Sequence, residues 1–292
     1  MIGPAELARR VRGLELRARK NVGHLGEGAY RSAFKGHGIE FQEIREYMPG
    51  DDVRTIDWNV TARHGHPYVK RFAEEREQTV LLVVDGSAST RFGSTGVSKR
   101  EVISELVATL AFAASGHDDK VGLILFGDDV EVYVPPLRGA SHALRIIRDR
   151  CEFSPSRPGT DIVRALKFLD KVATRRAFVF LISDFLAPDA SAQLRVSAKR
   201  HNLVALSVND ALEAQLPNCG LVEFIEPESG ARMVLDTSDR AVREEFARGA
   251  NERERLLRER MRAAGVDYFQ VTAGRDCFPD LLRFLRAHAR RA

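Results

Sequence analysis

The stretch that decides the fold is Gln78-Thr79-Val80-Leu81-Leu82-Val83-Val84-Asp85-Gly86-Ser87-Ala88-Ser89-Thr90. Its unbroken apolar run, Val80 to Val84, is typical of a strand buried on both faces at the centre of a parallel sheet. Asp85, Ser87 and Ser89 follow directly. Because open α/β sheets bind ligands beyond the carboxyl ends of their strands, this turn is a candidate site. A strand that simply turns into a capped helix would explain the same residues, so the rest of the chain has to decide.

After this strand, apolar runs alternate with amphipathic segments. Predicted strands cover 121–126, 130–134, 177–182, 203–208 and 267–271, and predicted helices cover 141–151, 160–172, 187–200, 239–264 and 278–289. A further helix begins at Ser98, with Glu101 at the capping-box spacing. This alternation predicts an α/β fold with a doubly wound, mostly parallel sheet of Rossmann type.

The predicted sheet occupies residues 78–292, with a two-strand ribbon inserted at about 219–236. Residues 1–77 form a smaller, β-rich annex. It starts with a helix, Pro4 to Lys20, whose narrow apolar stripe favours docking on its own domain over lying on a membrane surface. A glycine-rich loop at 23–32 and strands within 39–47, 54–62 and 66–74 complete the annex.

Composition excludes several classes of protein. The chain has 292 residues and a net charge of +4, and no apolar run approaches the roughly 18 residues of a membrane span. Cys151, Cys219 and Cys277 are far apart and form no metal-ligand pairs, which indicates free thiols in a reducing, cytoplasmic compartment. Residues 1–35 carry eight Lys and Arg against three Glu. This charge supports a nucleic-acid partner only weakly, because no recognition element accompanies it.

Oxygen-bearing side chains follow three of the predicted elements or loops. They are Asp85, Ser87 and Ser89, then Thr160 where a helix begins, and Asp184 after the strand 177–182. Hard oxygen ligands suit Mg²⁺ or Mn²⁺. Two carboxylates and three hydroxyls leave such an ion incompletely neutralised, so the pattern predicts a site that accepts an acidic ligand.

These residues resemble the metal-ion-dependent adhesion site of the von Willebrand factor A fold. The resemblance implies that Ser87, Ser89 and Thr160 coordinate the metal, that Asp85 and Asp184 act directly or through water, and that a partner's Glu or Asp completes the shell. One departure is Phe185, where many members of that family have Gly; the larger side chain would narrow access to the site.

A second resemblance covers nearly the whole chain. The pattern Glu40-Phe41-x-Glu43-x-Arg45-x-Tyr47-x-Pro49-Gly50-Asp51-Asp52-x-Arg54-x-Ile56-Asp57-Trp58, with Ala62-Arg63, Glu74-Glu75-Arg76, Leu216-Pro217 and Glu228-Ser229-Gly230, resembles the bacterial domain of unknown function 58. That family joins this signature to a von Willebrand A-like domain. It is typically encoded beside MoxR-type AAA+ ATPases, which implies a chaperone-like or assembly role with such a partner.

Two further hypotheses follow from the residues. Arg54, Asp57, Trp58 and Arg63 are expected to form a buried cluster that locks the annex to the sheet. This structural role is favoured over the alternative that the four residues form a binding site.

The alternative to a non-enzymatic interaction module is a metal-dependent phosphate-ester hydrolase that uses Asp85. The hydrolase is weaker, because phosphatases of this layout have a second Asp two residues later, where this chain has Ser87.

Overall fold

The computed structural model describes residues 3–34, 39–74, 78–225 and 230–289. The N-terminal part begins with helix α1 (Pro4–Phe34) and continues with strands β1 (Ile39–Glu46) and β2 (Tyr68–Glu74), which pair antiparallel. A 3₁₀ turn, Val53–Thr55, and helix α2 (Trp58–His64) lie between the two strands.

Two expectations for this part are wrong. The glycine-rich segment 23–32 is helical, because α1 continues to Phe34. The segment 54–62 is not a strand. Asp57 caps α2 by accepting hydrogen bonds from the amides of Asn59 and Val60, and this fixes a helix start in the middle of the expected strand. The strands expected within 39–47 and 66–74 are confirmed.

The remaining strands follow the expected order. They are β3 (Thr79–Asp85), β4 (Lys120–Phe126), β5 (Val130–Leu137), β6 (Phe178–Ser183), β7 (Asn202–Asn209), β8 (Leu221–Ile225), β9 (Arg232–Asp236) and β10 (Asp267–Thr272). Six of them form one sheet in the order β10-β7-β6-β3-β4-β5. All neighbours are parallel except β4 and β5, which form a hairpin. The mostly parallel α/β sheet is therefore confirmed.

Helices cover both faces of the sheet. They are α3 (Lys99–Gly116), α4 (Ala140–Glu152), α5 (Ile162–Val172), α6 (Ser191–Arg200), α7 (Ala211–Ala214), α8 (Arg240–Ala264) and α9 (Phe278–Ala289). The short α7 was not expected from the sequence. The capping box at Ser98 and Glu101 is confirmed, with both reciprocal hydrogen bonds present. Successive residues of β3 point to opposite faces, so the strand contributes to two hydrophobic clusters, one on each side of the sheet.

Helix α1 docks on the sheet domain. It packs against α3, α4 and α9, and its Leu14 and Ala18 belong to the larger hydrophobic cluster. The predicted docking of this helix is confirmed. The boundary predicted at residue 77 remains a prediction.

The predicted ribbon corresponds to β8 and β9, which pair antiparallel, while residues 226–229 lie outside the described part of the chain. Glu228-Ser229 of the family signature falls in this stretch, and Glu75-Arg76 falls in the stretch 75–77. Within the described residues, no helix combines the length and apolar character needed to cross a membrane.

Candidate metal centre

The centre of the sheet brings two of the predicted aspartates to one edge. Asp85 is the last residue of β3, and β6 pairs with β3 in parallel, with Val84 opposite Ile182. Asp184 comes two residues after Ile182, so both carboxylates lie beyond the carboxyl ends of neighbouring central strands. Both side chains are buried. Strand order and register thus produce the juxtaposition that the sequence predicted for these two residues.

The turn after β3 is organised by Asp85. Its Oδ1 accepts a hydrogen bond from the Ser87 amide at 2.8 Å, and its Oδ2 accepts one from Ser183 Oγ at 2.6 Å. The hydroxyls of Ser87 and Ser89 lie 3.0 Å apart, and both residues are buried. The turn therefore holds two buried hydroxyls side by side, close to a buried carboxylate.

Thr160 reaches this edge through a contact between two loops. The Gly86 amide donates to the carbonyl of Phe126 at the end of β4, at 2.9 Å. The neighbouring Gly127 carbonyl accepts from the Asp161 amide at 2.8 Å. Because Thr160 directly precedes Asp161 and is itself buried, these bonds hold it beside the end of β4, next to the turn of Asp85.

Asp184 has a buried cationic partner that the sequence reading missed. Lys99 Nζ lies 2.7 Å from Asp184 Oδ2 and 2.6 Å from Glu213 Oε1, and the lysine is fully buried. Burial by itself lowers the pKa of Lys99, but the two carboxylates outweigh burial and the pKa is raised. The available signal was a lysine at the first position of a helix whose other face reads as core.

The residue after Asp184 has an unusual backbone. Phe185 adopts φ = 57°, the left-handed region that favours glycine. This is the position at which the resembling family often has Gly. The strain is held by hydrogen bonds on both sides, from the Phe185 amide to Ser183 Oγ and from the Leu186 amide to Asp184 Oδ1.

Electrostatics make the ionised state of Asp85 costly. Burial is the largest cause and the nearby Asp184 carboxylate is the second; together they raise the pKa of Asp85 to about 6, against the opposing hydrogen bonds from Ser183 and Ser87. A cation bound close to Asp85 would therefore stabilise its ionised carboxylate.

The spacing of two of the predicted ligands is compatible with a small divalent cation. In an octahedral shell with metal–oxygen distances of about 2.0–2.1 Å, adjacent ligands lie about 2.8–3.0 Å apart. The 3.0 Å separation of the Ser87 and Ser89 hydroxyls matches that spacing. Among the described residues no group of three or more His, Cys, Asp and Glu side chains could hold a metal. A metal centre at Asp85 and Asp184 would thus depend on hydroxyl ligands.

A cleft of about 940 Å³ opens beside the same edge. Its lining includes the carboxylates of Asp184 and Glu213, the apolar side chains of Phe185 and Leu186, and Leu257 of α8. A group bound at the candidate centre would therefore have a partly apolar surface next to it.

The signature segment is built differently from the expected buried cluster. Trp58 is 70% exposed, and Arg54 and Arg63 are also exposed. Asp57 is buried, but it caps α2. The expectation that these four residues form a buried ion-pair and stacking cluster is wrong. Three of them are exposed, and the carboxylate of the fourth, Asp57, accepts hydrogen bonds from backbone amides.

Comparison with known proteins places the chain in a family. The family model described as "Protein of unknown function DUF58" matches residues 43–256. The chain is 33% identical over 295 residues to "Uncharacterized protein Rv1480" of Mycobacterium tuberculosis, covering 100% of this chain and 92% of that protein.

Two solved structures from Bacteroides are similar. One is an aerotolerance-related membrane protein of Bacteroides fragilis, with a TM-score of 0.49 and 20% identity, covering 74% of this chain and 100% of that one. The other is BatB of Bacteroides thetaiotaomicron, with a TM-score of 0.47 and 18% identity, covering 73% and 99%. With the family model spanning most of its length, the chain belongs to the DUF58 family.

Proposed function

We propose that this chain is a metal-dependent protein-interaction module with a von Willebrand A-like site. Asp85, Ser87, Ser89, Thr160 and Asp184 would hold one Mg²⁺ or Mn²⁺ ion. The observation that carries the proposal is the pair of buried hydroxyls, Ser87 and Ser89, 3.0 Å apart beside the buried Asp85 carboxylate. The metal would supply a Lewis-acidic attachment point for an oxygen ligand.

The charge balance favours an acidic partner group. Lys99 already compensates Asp184, so a divalent ion placed between Asp85 and Asp184 would keep part of its positive charge. A carboxylate from a partner supplies the missing negative charge better than any neutral group. The cleft beside Asp184 offers apolar contacts, including Phe185 and Leu186, to the residues that flank such a carboxylate.

The identity of the partner rests on the family. We infer that it is a MoxR-type AAA+ ATPase, or a client that the ATPase shares, and that the two proteins work in chaperone-like or complex assembly. Such an ATPase requires ATP, so the encounter would take place in the cytoplasm. Neither nucleic acid nor a membrane span has a part in this function.

The function is tested by immobilising the chain and measuring whether it captures a MoxR-type AAA+ ATPase from the same organism. We expect binding in Mg²⁺, loss of binding in excess EDTA, and loss in Ser87→Ala and Thr160→Ala. Ser141→Ala removes an exposed hydroxyl at the start of α4 and is the matched control, which should bind as the wild type does. Equal capture in EDTA would contradict the metal bridge. Turnover of phosphate esters that Asp85→Ala abolishes would instead support the hydrolase hypothesis.

A further inference from the structure

A second polar feature lies at the end of α4, outside the candidate metal centre. Arg150 is only 1% exposed, although a guanidinium is always charged at neutral pH. Its Nε and Nη2 atoms are both buried and have no hydrogen-bond partner among the residues that the structure describes. Buried polar groups are nearly always hydrogen-bonded, and an unpaired buried charge costs several kcal/mol. The two atoms are therefore available to hydrogen-bond a ligand.

The two unpaired atoms determine how the acceptor atoms of that ligand must be arranged. Nε and Nη2 lie on the same edge of the guanidinium, and their N–H groups point in parallel. This edge binds carboxylates and phosphates through two parallel hydrogen bonds to two oxygens. A water molecule can satisfy the geometry of one of these donors, but it brings no negative charge.

Two more arginines converge on the same end of α4. Arg100 donates from Nη2 to the carbonyl of Cys151 at 3.1 Å and to that of Phe153. Arg91 donates from Nη2 to Ser154 Oγ at 2.9 Å. Cations near a helix C-terminus are favourable, which accounts for the hydrogen bonds of Arg100. It does not account for the unpaired Nε and Nη2 atoms of Arg150.

Within the described residues, these three guanidiniums form no ion pair. Across the described residues, no Asp or Glu forms an ion pair with Arg91, Arg100 or Arg150. Burial first, and the Arg100 guanidinium second, lower the pKa of Arg150 to about 10, and the opposing effects of Cys151 and of the Asp85 carboxylate do not restore it. Arg91 is exposed, Arg100 is half-buried and Arg150 is buried, so the charges run from the surface inward.

We propose that Arg91, Arg100 and Arg150 form a binding site for a small oxyanion of the phosphate class at the C-terminal end of α4. Three cations, of which only Arg150 lies within electrostatic reach of a carboxylate, that of Asp85, keep a net positive charge that favours a multiply charged oxyanion over a single carboxylate. The edge of Arg150 fits two oxygens of such an anion. The proposal does not require a bound metal, but the site adjoins the proposed metal centre: the Asp85 carboxylate acts electrostatically on Arg150, and Phe153 packs on Gly86, where an added Cβ would lie 2.1 Å from the ring.

Inorganic phosphate is the probe, and its affinity for the full chain is measured by calorimetry and by the shift in melting temperature. Chloride at equal ionic strength controls for general salt effects. We expect phosphate to raise the melting temperature of the wild type. We expect its affinity to fall at least about tenfold in Arg150→Met, in keeping with the loss of a bidentate charged contact, and by a smaller factor in Arg91→Gln. Arg145→Met changes an exposed arginine on the same helix and should leave phosphate binding unchanged.

Arg150→Met should fold, because it replaces a buried charge that has no ion-pair partner among the described residues by an apolar side chain of similar length. If it does not fold, the exposed Arg91→Gln carries the test. An equal phosphate response in Arg150→Met and wild type, or no response beyond that of chloride in the wild type, would overturn the proposal. An equal response to acetate would also overturn it, because the occupant would then be a carboxylate.

Discussion

The edge of the central sheet and the signature segment of the annex use polar residues in opposite ways. At the sheet edge, Asp85, Ser87 and Asp184 are buried, and the carboxylates are held close together at a cost in electrostatic energy. In the annex, Asp51 pairs with Arg45 at 2.7 Å, and Asp57 caps a helix. There the polar groups stabilise the backbone, and the large side chain of Trp58 remains exposed.

Under the proposed function, the polar residues of the sheet edge serve binding, whereas those of the annex serve folding. A buried group that weakens the fold needs another reason to be present, and functional sites are where such groups are found. A polar group that satisfies backbone amides needs no further reason. The two regions should therefore respond in opposite directions when their acidic residues are removed.

The largest effect on stability is expected at the sheet edge, in Lys99→Met. Removing the lysine leaves Asp184 and Glu213 without their shared cation, and breaking a buried ion pair on one side costs about 3–5 kcal/mol. The free energy of unfolding, measured in denaturant without metal, should fall by that order. Lys167→Met, on the exposed side of α5, is the control and should change little. A fully stable Lys99→Met protein would show that the buried pair is not needed.

Asp85→Asn should have the opposite sign. The pKa of Asp85 is raised in the folded chain to about 6 from an ordinary value of 3.8, so the folded state binds more protons between these values. Its contribution to stability is present below about pH 4 and is lost as the pH rises through about 6. Without metal at pH 7, Asp85→Asn should be more stable than the wild type by an amount on the order of 1–3 kcal/mol.

Thermal unfolding of both proteins from pH 4 to pH 8 measures this effect. The advantage of Asp85→Asn should vanish near pH 4 and should be offset at pH 7 by Mg²⁺, which stabilises only the wild type. A wild type that gains stability on going from pH 4 to pH 7 while Asp85→Asn does not would reverse the sign and contradict this account of the sheet edge.

The smallest effects are expected in the annex, where adjacent residues should differ. Asp57→Ala removes the cap of α2 and should cost about 1 kcal/mol. Trp58→Ala removes a side chain that is 70% exposed, and its effect should stay within about 0.5 kcal/mol. Denaturant unfolding of the two variants measures the contrast. A larger loss in Trp58→Ala than in Asp57→Ala would restore the buried-cluster hypothesis.

Sequence patterns predicted the parts of the molecule that depend on local periodicity. The buried run before Asp85 and the one before Asp184 were enough to bring both residues to one sheet edge, because parallel strands share their carboxyl ends. The position of Thr160 depends on a contact between the loops at Gly127 and Asp161, which no periodicity encodes.

The errors also have physical causes. Trp58 was expected to be buried because of its size, but burial depends on what packs against the residue, and Asp57 directs α2 so that Trp58 faces solvent. Lys99 was overlooked because the capping box at Ser98 explained the helix start without it. Its role appears only when the strand order places Asp184 beside the first turn of α3.

Calorimetric titration of the metal-free chain with Mg²⁺ and Mn²⁺ tests the central claim most directly. The proposed centre predicts saturable binding of one ion to the wild type and to the Ser141→Ala control. It predicts that the affinity for the metal falls more than about 100-fold in Asp85→Ala. Mutating even a residue that only hydrogen-bonds to a metal ligand typically lowers metal affinity 10- to 100-fold. The same isotherm for Asp85→Ala and the wild type, or no binding to either, would contradict a metal centre at this edge of the sheet.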